Sequence, residues 1–205
     1  MEEKKGLVIV VSGPSGAGKS TVLEETFKKY PSLRYSVSVT TRKPRGGEVE
    51  GVNYNFKSVE EFNKMLANGE FLEYQEVYGN FYGTPVANVK DKLAEGYDVV
   101  LEIDVKGALN VKTKYPEAIM IFILPPSKKI LAERLRARNT ESEEQLNIRI
   151  ASSIEEMKQA AFYDYVVINE NANQAVTDVI TIIEAEKSKV KNNKEFLDNL
   201  IYGGN

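Results

Sequence analysis

The chain has 205 residues, enough for one α/β unit with inserted subdomains and a sizeable core. Its formal net charge of −3, from 27 basic and 30 acidic residues, advertises no nucleic-acid partner. Cysteine and histidine are absent, which excludes disulfides, thiolate metal sites, thiol nucleophiles and the commonest general base.

Met1-Glu2-Glu3-Lys4-Lys5 carries no apolar run of signal-peptide type. No segment approaches the roughly 20 apolar residues needed to span a bilayer, so a soluble cytoplasmic protein is expected. Leu7-Val8-Ile9-Val10-Val11 reads as a buried strand, and Ser20 to Tyr30 as a helix burying Val22, Leu23, Thr26 and Phe27. Between them lies Ser12-Gly13-Pro14-Ser15-Gly16-Ala17-Gly18-Lys19-Ser20-Thr21, which contains Gly13-x-x-x-x-Gly18-Lys19-Ser20. This is the phosphate-binding loop pattern in the strand–loop–helix frame it requires. Glycines at 13, 16 and 18 let backbone N–H groups approach phosphate oxygens, and the helix N-terminus adds anion affinity. Lys19 would bridge the β- and γ-phosphates of a nucleoside triphosphate, and the Ser20 hydroxyl would ligate Mg2+. A glycine turn before an ordinary helix is the weaker reading, because residue types and frame agree.

Ser36 to Thr40 alternates as a strand would, and Thr41 to Gly47 is a basic loop. Asn53 to Phe56 suits a short strand, and Ser58-x-x-Glu61 a capping box opening a helix through Leu66. Phe71 to Tyr78 and Phe81 to Gly83 read as strands joined at Gly79-Asn80. Residues 37 to 87 thus resemble a small antiparallel α+β insert. A helix is expected from Pro85 to Glu95, a strand over 97–104, a helix from about Gly107 to Tyr115, and a strand from Ala118 to Leu124. Ser127 caps a helix through Arg138, and Thr140 one through about Ala161. Asp164 to Asn169 is the last strand, followed by helix. The alternation outside the insert predicts a parallel sheet flanked by helices.

Within the insert, Arg42 and Arg45 sit in a glycine-rich loop, with Tyr54 and Tyr82 nearby in sequence. Arginine forks and tyrosine hydroxyls bind phosphate. Glu73 lies in an apolar setting where a carboxylate needs donors, and Ser38 and Thr84 offer short hydroxyls. Any one of these alone reads more simply as surface charge or a strand hydroxyl.

Together they resemble the guanylate kinase family over nearly the whole chain. The resemblance rests on the phosphate loop, Ser36-Val37-Ser38-Val39-Thr40-Thr41-Arg42-Lys43-Pro44-Arg45, Gly51-Val52-Asn53-Tyr54 and Glu70-Phe71-Leu72-Glu73. It continues in Asn80-Phe81-Tyr82-Gly83-Thr84, Leu101-Glu102-Ile103-Asp104 and Arg138-Asn139-Thr140-Glu141. It implies a P-loop NTPase core over 1–36, 88–128 and 160–205, a GMP-binding insert over 37–87 and a helical lid over 129–159. It implies transfer of the ATP γ-phosphate to GMP with Mg2+, small-molecule partners GMP and ATP, no nucleic acid or membrane, and a monomer or homodimer.

By the same resemblance Ser38, Glu73 and Thr84 contact guanine, and Arg42, Arg45, Tyr54 and Tyr82 hold the GMP phosphate. Arg134, Arg138 and Arg149 close over the ATP phosphates, while Arg136 suits a solvated face. Asp104 orients Mg2+ waters or the acceptor, and Glu102 lies on the GMP side, where many relatives carry Asp. Asn169 lies near adenine. Asn139 replaces a common glycine, and Ala137 also differs from some relatives. A catalytically inactive, phosphopeptide-binding module of the same family is the principal alternative, but it has no use for Lys19, Ser20 and the lid arginines. A kinase for AMP or dTMP is disfavoured by Glu73 beside Ser38.

Overall fold

The computed structural model describes residues 6–77, 79–137 and 143–203. Its centre is a five-stranded sheet in the order β2-β7-β1-β8-β9. The strands are β1 (Val8–Ser12), β2 (Leu33–Tyr35), β7 (Asp98–Glu102), β8 (Ile119–Leu124) and β9 (Tyr165–Ile168), and every pairing among them is parallel. β1 is buried at every residue, as a central strand covered on both faces must be. Ile9, Val11 and Ile121 face one core layer with Leu23 of α1 (Lys19–Lys29) and Val176 and Ile183 of α7 (Ala172–Lys187). Val8, Val10 and Met120 face the other with Val89 of α3 (Val86–Ala94) and Ala108 and Val111 of α4 (Val105–Lys114).

A second sheet runs in the order β4-β3-β6-β5, from β3 (Val39–Thr40), β4 (Asn55–Phe56), β5 (Phe71–Val77) and β6 (Asn80–Pro85). Helix α2 (Val59–Ala67) covers it, and Phe62 stacks on Phe71 and Phe81 at centroid distances of 4.5 and 5.4 Å. The Ser58–Glu61 capping box forms as expected. Helices α5 (Lys128–Arg136) and α6 (Glu143–Met157) pack through Leu131, Leu135 and Leu146. A 3-10 turn (Lys158–Phe162) follows, and α8 (Lys194–Tyr202) closes the described chain. Among the described residues no helix is long and apolar enough to cross a membrane.

Four expectations need correction. Of the strand expected over 36–40 only Val39–Thr40 forms, in the small sheet, and an unexpected strand, Leu33–Tyr35, precedes it in the large one. Ser36 still bonds Val100 while Ser38 already bonds Asn55, so the chain changes sheets within three residues. The second sheet is mixed, because β3 and β4 run parallel. Helix α4 begins at Val105, since Asp104 rather than a later residue caps it. The helix expected through Ala161 ends at Met157, where it tightens into the 3-10 turn. The expected Thr140 cap lies outside the described residues.

The β1–β7 pairing is anchored at its start by Asp98, which is fully buried. Its Oδ1 accepts the Leu7 N–H at 3.0 Å, and the Lys187 ammonium lies 2.6 Å from Oδ2. Asp98→Ala leaves a buried N–H unpaired and a half-buried ammonium without its anion. It should destabilise the fold by about 2–3 kcal/mol, read from urea unfolding midpoints.

Candidate active site

The loop after β1 lies where the chain turns to one side of the sheet while β8 lies on the other, the usual ligand position in such folds. Two close approaches need glycine. A Cβ on Gly13 would stand 2.2 Å from the Ile123 carbonyl oxygen of β8, and one on Gly18 would stand 2.4 Å from Asn169 Nδ2. Gly18 also has φ +85°, the left-handed region. As the N-cap of α1 it supplies no side-chain bond, and the first turn holds no acid. The first-turn N–H groups are therefore left facing outward for an anion. Lys19 Nζ folds back to donate to Gly13 O (2.6 Å) and Pro14 O (3.3 Å). A pocket is lined by Pro14, Ser15, Gly16, Gly18, Lys19, Ser20 and Thr21.

The loop is braced from behind. Asn169, buried at the end of β9, donates to Ala17 O at 2.8 Å. Arg134 of α5 donates to the same carbonyl (3.3 Å) and to Asn169 O (2.9 Å). Arg134 and Asn169 thus meet at the loop backbone. From α6, Arg149 donates to Ser15 Oγ (3.0 Å) and Ser153 Oγ to Ser15 O (3.4 Å). Glu156, further along the same face, accepts the Ser15 N–H. Burial pushes its carboxyl up, opposed by the nearby Lys19 charge and that hydrogen bond. Arg136 is exposed, and Arg138 and Asn139 lie outside the described residues.

On the second sheet Arg42, Tyr54 and Tyr82 come together. The Tyr54 and Tyr82 rings are 5.9 Å apart, and the Arg42 guanidinium stands 5.4 Å from the Tyr54 centroid. Glu48, which sequence reasoning missed, holds Arg42 in a two-pronged pair at 2.7 and 2.9 Å. Arg42 pulls the Glu48 carboxyl down to about 2, and the pair raises the Arg42 guanidinium above its ordinary range. Glu48 also accepts the Arg45 N–H, whereas the Arg45 side chain is exposed.

Glu73 and Thr84 face each other in register, and Thr84 Oγ1 donates to Glu73 Oε1 at 2.6 Å. Val39 pairs with Gly83, so Ser38 lies one step beyond in the row of Thr84 and Glu73. The second Glu73 oxygen points at Gly107, where a Cβ would stand 2.6 Å away. Gly107 therefore leaves the carboxylate the room it occupies. Burial pushes the Glu73 carboxyl up to about 7, against the Thr84 hydrogen bond that lowers it.

Two acids stand between these halves. Glu102, at the end of β7, accepts from Ser20 Oγ at 3.2 Å, and its charge reaches Tyr35 and Tyr54. Asp104 caps α4 through Gly107 N (2.7 Å), and its charge reaches both Glu73 and Glu156. Among the described residues no cluster of three acidic side chains could hold a metal alone. The Ser20–Glu102 pair does fit Mg2+, which takes one or two protein oxygens and completes its shell with water and phosphate.

The family model described as "Guanylate kinase" matches residues 5–186. The chain is 51% identical over 187 residues to the guanylate kinase of Carboxydothermus hydrogenoformans, covering 91% of this chain and 92% of that one. It is 51% identical over 193 residues to that of Caldanaerobacter subterraneus subsp. tengcongensis, covering 94% of each. The crystal structure of guanylate kinase from Anaplasma phagocytophilum superposes with a TM-score of 0.79 at 33% identity, covering 98% of both chains.

The raised Glu73 carboxyl makes a signed prediction. Its neutral form is favoured by folding, so the stability it lends is complete below about pH 4.5 and lost as pH rises through about 7. Relative to Glu73→Gln, the wild-type protein should lose about 2–3 kcal/mol between those limits, measured by urea unfolding across that range. A difference independent of pH would mean the carboxylate is as well solvated folded as unfolded.

Proposed function

Because the chain belongs to the guanylate kinase family, we infer that it transfers the ATP γ-phosphoryl group reversibly to GMP, giving ADP and GDP. The observation that carries this reading is an intact phosphate loop in the same chain as a buried carboxylate, Glu73, bonded to the Thr84 hydroxyl. Guanine presents N1–H and N2–H2 as adjacent donors, which one carboxylate accepts as a fork. Those donors favour the ionised Glu73, overcoming the burial that keeps it neutral in their absence. Adenine offers an acceptor at N1 and leaves the anion unpaired, a mismatch on the scale of 10^4-fold in discrimination. In this reading Ser38, one residue before the Val39–Gly83 pair, donates to O6.

In this reading the loop amides and Lys19 hold the donor phosphates, and Ser20 with Glu102 holds Mg2+. When bound, the ion would supply charge neutralisation at the donor phosphates. Arg42, Arg45, Tyr54 and Tyr82 hold the GMP phosphate, with that phosphate displacing Glu48 from the Arg42 fork. An oxygen of GMP attacks the γ-phosphorus in line. The bond from phosphorus to the β–γ bridging oxygen breaks, and its electron pair leaves on ADP. No general base is required, since a phosphate monoester with a second pKa near 6 is mostly dianionic at neutral pH. The absence of histidine costs nothing here. Arg134, Arg138 and Arg149 spread cationic charge over the equatorial oxygens, while Asp104 stands between the two substrates.

We further propose that 37–87 is the GMP-binding insert and 129–159 a lid closing on the core of 1–36, 88–128 and 160–205. We propose a cytoplasmic enzyme, monomeric or homodimeric, and the charge of −3 supports the absence of a nucleic-acid partner. The inactive-module alternative is disfavoured by the intact Lys19–Ser20 loop and by relatives named as kinases.

ADP release measured across GMP, AMP and dTMP should single out GMP. Lys19→Ala should lower turnover roughly 1,000-fold or more while GMP still binds. Glu73→Gln should collapse the GMP/AMP ratio of kcat/KM by two orders of magnitude or more, roughly. An unchanged ratio would move the base pocket elsewhere.

A further inference from the structure

Every polar group of Ser15 is taken by one helix. Arg149 donates to its Oγ, Ser153 donates to its carbonyl, and Glu156 accepts its N–H. The spacing 149, 153, 156 puts the three side chains on one face of α6. Ser15 immediately precedes Gly16, whose φ of +86° begins the turn that aims the loop amides at phosphate. Two of these contacts read as ordinary docking. The third brings something docking does not require, a half-buried negative charge beside Lys19 and Arg149. These two cations are the ones that must face the same transferring phosphoryl group. Left alone they repel each other, and the Gly13 and Pro14 carbonyls that hold Lys19 do not bring it together with Arg149. Asp104, the other charge that reaches Glu156, stands between the two halves of the site and is tied to the α4 N-terminus.

We propose that Glu156 is a positioning residue for phosphoryl transfer: it ties α6 to the loop through the Ser15 N–H and holds the Lys19 and Arg149 cations together in the arrangement that meets the phosphates. It touches neither substrate. It acts through Lys19 and Arg149, lowering the cost of keeping two like charges close before the donor binds. The neighbouring Glu155 serves as the internal contrast, since it pairs with Lys158 on the exposed side of the helix. The proposal rests on the phosphotransferase reading given above.

The test separates charge from attachment. Glu156→Gln keeps an oxygen acceptor for the Ser15 N–H and nearly the same shape, but removes the charge. With ATP and GMP as substrates, Glu156→Gln should lower kcat about 10-fold and Glu156→Ala up to about 100-fold, the usual range for residues supporting a reacting group. The KM for GMP should stay within about twofold, because the acceptor cradle belongs to the other sheet. Glu156→Asp should recover part of the loss, and Glu155→Gln should have no effect. In an Arg149→Ala background, Glu156→Gln should cost much less than in the wild type, since the residue it orients is gone. Thermal midpoints are recorded for each variant. If Glu156→Ala fails to fold, the Gln variant decides alone.

A Gln variant with wild-type kcat overturns the proposal, as does a loss that persists undiminished in the Arg149→Ala background. A wild-type protein that leaves GMP unphosphorylated refutes the functional reading instead, so the two failures are distinguishable.

Discussion

The whole arrangement depends on backbone amides being brought, bare, to the end of a buried strand. Between β1 and α1 the chain must turn with no side chain at Gly13 or Gly18, because Ile123 O and Asn169 Nδ2 occupy the space a Cβ would need. β1 is central and buried throughout, so the loop grows from the least deformable part of the molecule. Rigidity matters energetically, because dipoles already pointed at an anion need not reorganise when it arrives. Asn169 and Arg134 extend that rigidity by holding Ala17 O, and Asp98 secures the opposite end of the same strand pair.

The cations are handled by a common device. Each is held close to where a phosphate would lie, by protein oxygens: Arg42 by Glu48, Lys19 by loop carbonyls, and Arg149 by Ser15. A guanidinium or ammonium so restrained gives up little further entropy on meeting its ligand. On the proposed reading, exchange of Glu48 for a phosphate would replace one charged fork with another, so the desolvation of Arg42 is largely complete beforehand. The aromatic rings of Tyr54 and Phe56 contribute by flanking Arg42 at 5.4 and 6.0 Å.

The second sheet does different work. Two of its strands, β3 and β4, are only two residues long, and the Phe62–Phe71–Phe81 stack with Val39, Met65 and Leu66 makes up its core. That small core is enough to sink Glu73 out of water at one edge of the sheet, opposite Thr84 and next to the bare backbone of Gly107 on α4. On the proposed reading, selectivity arises where the two sheets' elements meet. The carboxyl is raised by burial and also senses Asp104, which follows β7 of the large sheet and caps α4.

By itself the sequence determined whatever is written locally. The glycine spacing before Lys19, the β-branched run of β1, the Ser58–Glu61 cap and the strand–helix alternation each depend on neighbours within a few residues. Arg42, Tyr54 and Tyr82 were legible as a set because arginine and tyrosine in a glycine-rich insert share one chemistry, and the fold brings them into contact. Only the tertiary structure decided the rest. Leu33–Tyr35 carries too few residues to show a period, and it becomes a strand because β7 is there to pair with it. Glu48 is one acid in a polar loop until Arg42 folds back on it. Glu155 and Glu156 are adjacent and chemically identical, yet one faces water with Lys158 and the other faces the loop at Ser15. A carboxylate's task is set by the charges that surround it: the partner of Glu155 is local, whereas the loop and Lys19 come to Glu156 from the N-terminal end of the chain.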